Sequence, residues 1–290
     1  MKADLKCGLC TLEWVYGRAI AQNRNQDLPQ LFKNIAQLLG HEITASANLG
    51  SLCNRAVDLI YEFVSPRSDF WEKIKKETND YVKGLLPQAE AYIQKAKTPQ
   101  KKFQRACSLA ALGNVSPLGA PDGGKSFAFP EALGFMEGRR PLPVVIGDVY
   151  KTVVQSHRVF YTTDNVGEIG FDALLVALLK EMGLNVTVTV KEPAFFEDAT
   201  LADTAFFNIN RLADQVITVN KFFVPGKGQS AADQAFRRSD LVISKGTGSY
   251  EALRGETQGK PAIFLLKIKC EPIARDLGIK EGRFVVKLDD

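Results

Sequence analysis

The residues best equipped for chemistry fall at three places in the second half of the chain. The first is Asp164-Asn165-Val166-Gly167-Glu168, which follows the β-branched and aromatic run at 158–163. An aspartate beside an asparagine offers a carboxylate and an amide carbonyl, hard oxygen donors of the kind Mg2+ or Mn2+ prefers. Gly167 allows a tight turn, and N–H groups opening the next helix suit a phosphate. The second is Glu197-Asp198-Ala199-Thr200, again between a strand-like run and a helix. If those two strands are neighbours, Asp198 reaches the same ion as Asp164 and Asn165. The third is Lys245-Gly246-Thr247-Gly248-Ser249. Its glycines let the chain approach an anion closely, Lys245 brings a point charge for a phosphoryl oxygen, and Gly246, Thr247 and Ser249 are candidate substrate contacts. The lysine precedes the glycines, so this is not a P-loop, and no GxGxxG follows any strand, which argues against a dinucleotide site. Turns and helix caps account for each segment taken singly. Together, at three strand ends of one sheet, they point to metal-assisted phosphoryl chemistry.

Other chemistry-bearing residues carry less. Five cysteines, an odd number, make a disulfide framework improbable in a chain with no visible export signal. Cys7-Gly8-Leu9-Cys10 has half the spacing of a zinc site, but no second close pair accompanies it, and the first turn of a helix explains it equally. His41 and His157 are the two histidines, and neither lies in a metal-binding or catalytic spacing.

The elements that must position these groups follow from periodicity. From about 11 to 113, apolar residues recur at three and four spacing, as in Leu31, Ile35, Leu38 and Leu39, with breakers at Asp27-Leu28-Pro29, Gly40, Ser65-Pro66 and Thr98-Pro99. This predicts about five helices. The segment 116–143 is dense in glycine and proline and reads as a long excursion without regular structure, after which 141–156 resembles one more helix. Beyond it, strands are predicted at 158–163, 186–190, 215–219, 240–244, 261–266 and 283–286, alternating with helices near 169–182, 201–208, 231–236 and 249–253. The fold class is therefore α/β, a Rossmann-like, mainly parallel sheet with flanking helices plus an N-terminal all-helical domain. The expected divisions are 1–115 for the helical part, 116–143 for the excursion and 144–290 for the α/β part. In such sheets ligands sit outside the carboxyl ends of the strands, where the three segments lie.

Composition sets bounds. The 290 residues are 45% hydrophobic and 24% charged, as in an ordinary folded protein, and 37 basic against 33 acidic residues leave a net charge of only +4. Neither nucleic acid nor a membrane is the expected partner; a small anionic metabolite is. No apolar stretch approaches the ~20 residues of a membrane span, and no secretory leader is visible, so a cytoplasmic location is expected.

The order and spacing of Asp164-Asn165-Val166-Gly167-Glu168-Ile169-Gly170-Phe171-Asp172, Glu197-Asp198-Ala199-Thr200, Lys245-Gly246-Thr247-Gly248-Ser249-Tyr250-Glu251 and Lys269-Cys270-Glu271-Pro272-Ile273-Ala274 resemble the DUF89 family, the damage-control phosphatases. The likeness is greatest to its stand-alone archaeal and bacterial type, which tends to carry an N-terminal CxxC. Leu112-Gly113-Asn114 resembles a further motif late in the helical part. The resemblance implies metal-dependent hydrolysis of phosphate monoesters, often of sugar phosphates or damaged phosphometabolites. By it the metal falls on Asp164, Asn165 and Asp198, with Mg2+, Mn2+, Co2+ or Ni2+ as the ion. Lys245 is the expected phosphate ligand, and Asn114 and Glu168 line the pocket. The sequence departs from the family with Ser249 in place of asparagine, Glu197 in place of the asparagine of many prokaryotic members, and Val115-Ser116-Pro117 after Asn114. These changes bear on substrate more than on fold. Attack by a metal-activated water and attack by the Asp164 carboxylate both fit. Two rivals are a non-catalytic binding protein for metal or phosphometabolite, and an S-adenosylmethionine-dependent methyltransferase, which the missing glycine-rich loop disfavours.

Overall fold

A computed structural model describes residues 1, 3–20, 28–44, 46–63, 69–115 and 129–290. The expected helix breaks at Asp27 and at Ser65-Pro66, and the first half of the Gly/Pro-rich excursion, lie outside the described residues. The helical half supplies α1 (Leu5–Ile20), α2 (Leu28–Glu42), α3 (Leu49–Tyr61), α4 (Asp69–Gln94) and α5 (Pro99–Leu112). Their starts follow capping chemistry. Asn48 accepts from the Ser51 N–H at α3, and Thr98 accepts from the Lys101 N–H at α5 with Pro99 at the first helical position.

Two expectations between residues 129 and 156 are corrected. The excursion contains a helix, α6 (Pro130–Met136), again opened by a proline. In place of a single helix over 141–156 there are β1 (Val144–Ile146) and α7 (Val149–Gln155). Pro143 cannot continue a helix, Val144-Val145-Ile146 prefers a pleated strand, Gly147 turns at φ +81°, and the Asp148 side chain caps α7 by accepting from Lys151 N–H.

The α/β half then runs β2 (Arg158–Thr162), α8 (Glu168–Glu181), β3 (Asn185–Lys191), α9 (Leu201–Phe206), α10 (Ile209–Leu212), β4 (Gln215–Val219), α11 (Ser230–Arg238), β5 (Leu241–Lys245), α12 (Thr247–Leu253), β6 (Ala262–Lys267), α13 (Glu271–Leu277) and β7 (Phe284–Asp289). They form a seven-stranded sheet in the order β1-β7-β6-β5-β2-β3-β4, parallel except between β6 and β7. The mixed α/β class with a mainly parallel sheet is thus as the sequence predicts. The six predicted strands are all present, while the edge strand β1 and the helix α13 carry too few residues to show a period.

Side chains alternate between two cores. Val159, Tyr161, Leu241, Ile243, Ile263 and Leu265 join residues of α4, α5 and α8 on one face. Phe160, Val242, Phe264 and Leu266 join α1, α2, α3 and Trp71 on the other. The N-terminal helices therefore cover both faces of the sheet and share its cores. Helix α8 is buried on most sides by α4, α5 and the sheet, and it carries the buried Glu168 and Asp172 among otherwise mainly apolar residues. Fully burying its Phe171, edge-on to Phe129, contributes roughly 2–3 kcal/mol.

Central strand β2 lies between β5 and β3. The chain leaves it towards β3 on one side and later fills the β5 side, so the strand order reverses at β2 and a crevice opens above its carboxyl end.

Candidate active site

The loops leaving β2 and β3 are tied together at that crevice. Ala199 N–H donates to Asp164 O at 2.9 Å and Val166 N–H to Glu197 O at 3.0 Å, so Asn165 and Asp198 pair as a one-residue antiparallel bridge. The condition on which Asp198 joins Asp164 and Asn165 is met, since β2 and β3 are hydrogen-bonded neighbours. The third loop arrives from β5. Gly246, at φ +80°, stands so close to Asp164 that a Cβ built on it would lie 1.9 Å from Oδ2. Only a residue without a side chain allows the two loops to meet.

Asp164 Oδ2 accepts from Asn114 Nδ2 at 2.9 Å and from Asn165 Nδ2 at 3.0 Å. Asn114 also donates to both oxygens of Glu168, at 3.2 and 3.3 Å, and its own oxygen accepts from Lys267 N–H at 3.1 Å. Glu168 in turn accepts from Asn165 N–H at 3.2 Å. Asn114, Asp164, Asn165 and Glu168 thus form one buried network, with every member held at more than one point.

The sequence points to Lys245 as a phosphate ligand, but the lysine does not present a free ammonium to the crevice. It is fully buried beneath the network, 2.8 Å from Asp172 Oδ1 and 3.5 Å from Glu168 Oε1, and Tyr161 O–H donates to the same Asp172 oxygen. Nor are the loop glycines' N–H groups free. Gly167 N–H donates to Asn79 Oδ1 and Gly246 N–H to Leu265 O. Thr247 Oγ1, beside Gly246, is buried with no hydrogen bond among the described residues, and Ser249 is buried on the first turn of α12.

The roof of the site comes from α4, whose period does not mark it as functional. Lys75, Thr78 and Asn79 lie on α4 at three and four spacing and are buried although polar or charged. The Lys75 ammonium donates to Asp198 O, Asn79 Nδ2 donates to Asp203 Oδ1 at 2.6 Å, and the Thr78 methyl crowds Gly167. Polar residues on the otherwise apolar stripe of α4 were the available signal. Glu197, one of the departures from the family, is buried and paired with Arg18 of α1, whose guanidinium stacks on Trp14 at 4.0 Å. Lys191, at the end of β3, stands 3.6 Å from Asp198 Oδ2.

Electrostatics reflect so much burial. Desolvation pushes the Glu168 carboxyl up to about 8, against the opposing pull of Lys245 and with further help from Asp164 and Asp172. Burial likewise raises Asp198 well above the usual carboxylate range, opposed by Lys191 and reinforced by Asp164 and Glu197. Burial alone would discharge Lys245, but Asp172 and Glu168 outweigh it and keep the lysine protonated.

Two carboxylates and an amide oxygen brought together by the loops after β2 and β3 suit a divalent cation. Asp198 Oδ2 is buried without a hydrogen bond among the described residues, and the Asp164 carboxylate occupies the space that a side chain at position 246 would fill. A cation there would offset the desolvation that chiefly raises Asp198 and the added repulsion from Asp164 and Glu197. Among the described residues no group of three or more His, Cys, Asp or Glu side chains is arranged to hold an ion. Cys7 and Cys10, on the first turns of α1, have Cys53 and Cys270 within electrostatic reach but form no such group with them among the described residues. All five cysteines are free. The clefts lined by Met1, Arg254 and Asp276, and by the amino ends of β2 to β4, lie away from this crevice. No helix among the described residues is long and apolar enough to cross a membrane.

A mainly parallel sheet with oxygen donors and lysines gathered at its switch point defines an α/β protein with a polar, largely buried site at the place where such sheets bind ligands. Residues 4–285 match the damage-control phosphatase ARMT1-like domain, and the chain belongs to that family, which includes the DUF89 proteins it resembles. A damage-control phosphatase of Archaeoglobus fulgidus is 28% identical over 293 residues, 99% of each chain. One of Pyrococcus horikoshii is 30% identical over 258 residues, 86% of this chain and 85% of that one. The crystal structure of a DUF89 family protein from P. horikoshii superposes with a TM-score of 0.77 at 26% identity, covering 99% of this chain and 98% of the other.

Proposed function

We propose that this protein is a phosphatase of small phosphorylated metabolites, sugar phosphates or damaged phosphometabolites, and that it works with a divalent metal ion. The observation that carries this reading is the meeting of Asp164, Asn165 and Asp198 at the switch point of the sheet, in a chain whose relatives are named damage-control phosphatases. Asp164, Asn165 and Asp198 would hold the ion, which supplies charge neutralisation for a phosphoryl group and activation of a nucleophile. Asn114 fixes the Asp164 carboxylate through Nδ2, and Glu168 fixes the Asn165 backbone, so the ligands are oriented before anything binds. Lys245 acts from below: its charge, shared by Asp172 and Glu168, lets three buried carboxyl groups coexist within one pocket. Lys75 holds the Asp198 backbone from above. Thr247 and Ser249 contribute hydroxyls along the β5 loop.

The test is phosphate release from an aryl phosphate and a panel of sugar phosphates, with Mg2+, Mn2+, Co2+ or Ni2+ and with chelator, alongside Asp164→Ala. The expected result is metal-dependent release, lost by at least a hundredfold in the variant. No release with any ion, from protein that still binds the ion, would leave a binding protein and sink the enzyme.

A further inference from the structure

Three buried lysines surround the crevice, and their ammonium groups differ in what they have left to give. Lys245 is spent on Asp172 and Glu168, and Lys75 on the carbonyl of Asp198. Lys191 is equally buried, with its side chain 6% exposed, yet its ammonium makes no hydrogen bond among the described residues. Its neighbours are Asp198 Oδ2 at 3.6 Å, an ion pair too long for a hydrogen bond, and the rings of Phe195 and Phe222 at 5.7 and 5.3 Å. The two aromatic faces steady the positive charge but accept no N–H in the ordinary sense. An ammonium carries three donors and no acceptor, and burying it with those donors unused is costly unless something arrives to accept them. The facing atom, Asp198 Oδ2, is buried with no hydrogen bond among the described residues.

A cation on Asp198 and an ammonium beside it repel each other. One ligand satisfies both, a compact oxyanion with an oxygen to spare for each. We infer that Lys191 is the substrate-binding residue for the phosphoryl group, its ammonium donating to non-bridging phosphate oxygens seated against Asp164, Asn165 and Asp198. The inference rests on the phosphatase reading for its substrate but can be tested apart from turnover. It makes metal and phosphate mutually reinforcing, since each removes the cost of the other's neighbour, and such coupling is reciprocal by linkage. A role for Lys191 as a mere prop for Asp198 has the opposite signature, because removing a prop weakens the metal site itself.

Full-length protein and Lys191→Met, which keeps a flexible apolar stem over Phe195 and Phe222, would be compared by calorimetric titration. Mn2+ is titrated first without phosphate, then inorganic phosphate at saturating Mn2+. The expected result is phosphate binding at least tenfold weaker in the variant, with Mn2+ binding unchanged within twofold or tighter. Lys191→Arg should retain most of the phosphate affinity. With an aryl phosphate the loss in Lys191→Met should appear chiefly in KM. Phosphate affinity within twofold of the wild type, or a parallel loss of Mn2+, overturns the assignment. Should Lys191→Met not fold, Lys191→Gln against Lys191→Arg decides the same question. A wild type that releases phosphate from no ester refutes the phosphatase reading, and the titrations still judge Lys191.

Discussion

Replacing Gly246 with alanine tests whether the β5 loop shapes the Asp164 carboxylate. Gly246 has φ +80° and ψ 167°, a region that is essentially glycine-only and costs other residues about 1–3 kcal/mol. The new methyl would also fall 1.9 Å from Asp164 Oδ2 and 2.3 Å from its Cγ, so the carboxylate must swing away. It would then lose the hydrogen bonds from Asn114 and Asn165, each worth about 1.5–3 kcal/mol to a charged acceptor. The sum runs from about 4 to about 9 kcal/mol. At roughly 2–4 °C per kcal/mol for a chain of this size, the midpoint of thermal unfolding should drop by at least about 8 °C. Gly278→Ala is the reference: it has φ +65° but nothing within 4 Å of the new methyl, so it should lose only about 1–2 kcal/mol. Calorimetric melting of both variants, with phosphate release measured beside it, separates backbone strain from displacement of Asp164. If Gly246→Ala melts like Gly278→Ala and keeps wild-type release, the close approach of the two loops does not govern the site.

Lys245→Met leaves Asp172 and Glu168 buried without their counter-charge and should cost about 3–5 kcal/mol in urea unfolding, of which Lys245→Met with Asp172→Asn recovers a part. A single variant within about 1 kcal/mol of the wild type would show that the pair is not the counter-charge of the floor. Burial pushes the Glu251 carboxyl up to about 7, against the opposing pull of the Met1 amine and Lys269, so the folded state holds a proton that the unfolded state gives up above its usual 4.5. Stability from this group is therefore full at low pH and lost as pH rises from about 4.5 to 7. Glu251→Gln should accordingly stabilise the protein at pH 8, on the order of 2 kcal/mol, and leave it unchanged near pH 4. Equal destabilisation at both pH values in chemical unfolding would refute the burial argument.

How far the sequence was readable depended on distance along the chain. Short β-branched runs marked the six longer strands, and Asp164, Asn165 and Asp198 stood out because strand ends are where parallel sheets bind ligands. The three residues of β1 were too few for a period, and their pairing with β7 is fixed by residues far away. The roles of the lysines were hidden for a similar reason. Nothing in Lys245-Gly246-Thr247 tells that Asp172, one turn beyond the Asp164 loop on α8, will claim the ammonium. Nothing around the end of β3 tells that Lys191 will have no hydrogen-bond acceptor for its ammonium among the described residues. Glu197 looks like a departure until Arg18 is placed opposite it, 179 residues earlier.

The interleaving of the two cores bears on how the chain is made. Leu31 and Val57 share one cluster with Val285, and Val82 and Leu109 share the other with Val286 and Leu288. Strand β1 has β7 as its hydrogen-bonded neighbour in the sheet and waits for it. As the polypeptide leaves the ribosome, the first five helices emerge with their apolar stripes uncovered and stay so until the sheet behind them is complete. Such long-range closure favours slow, concerted folding over stepwise folding of halves. The nascent helical segment is therefore the stage at which this protein depends most on shelter from aggregation.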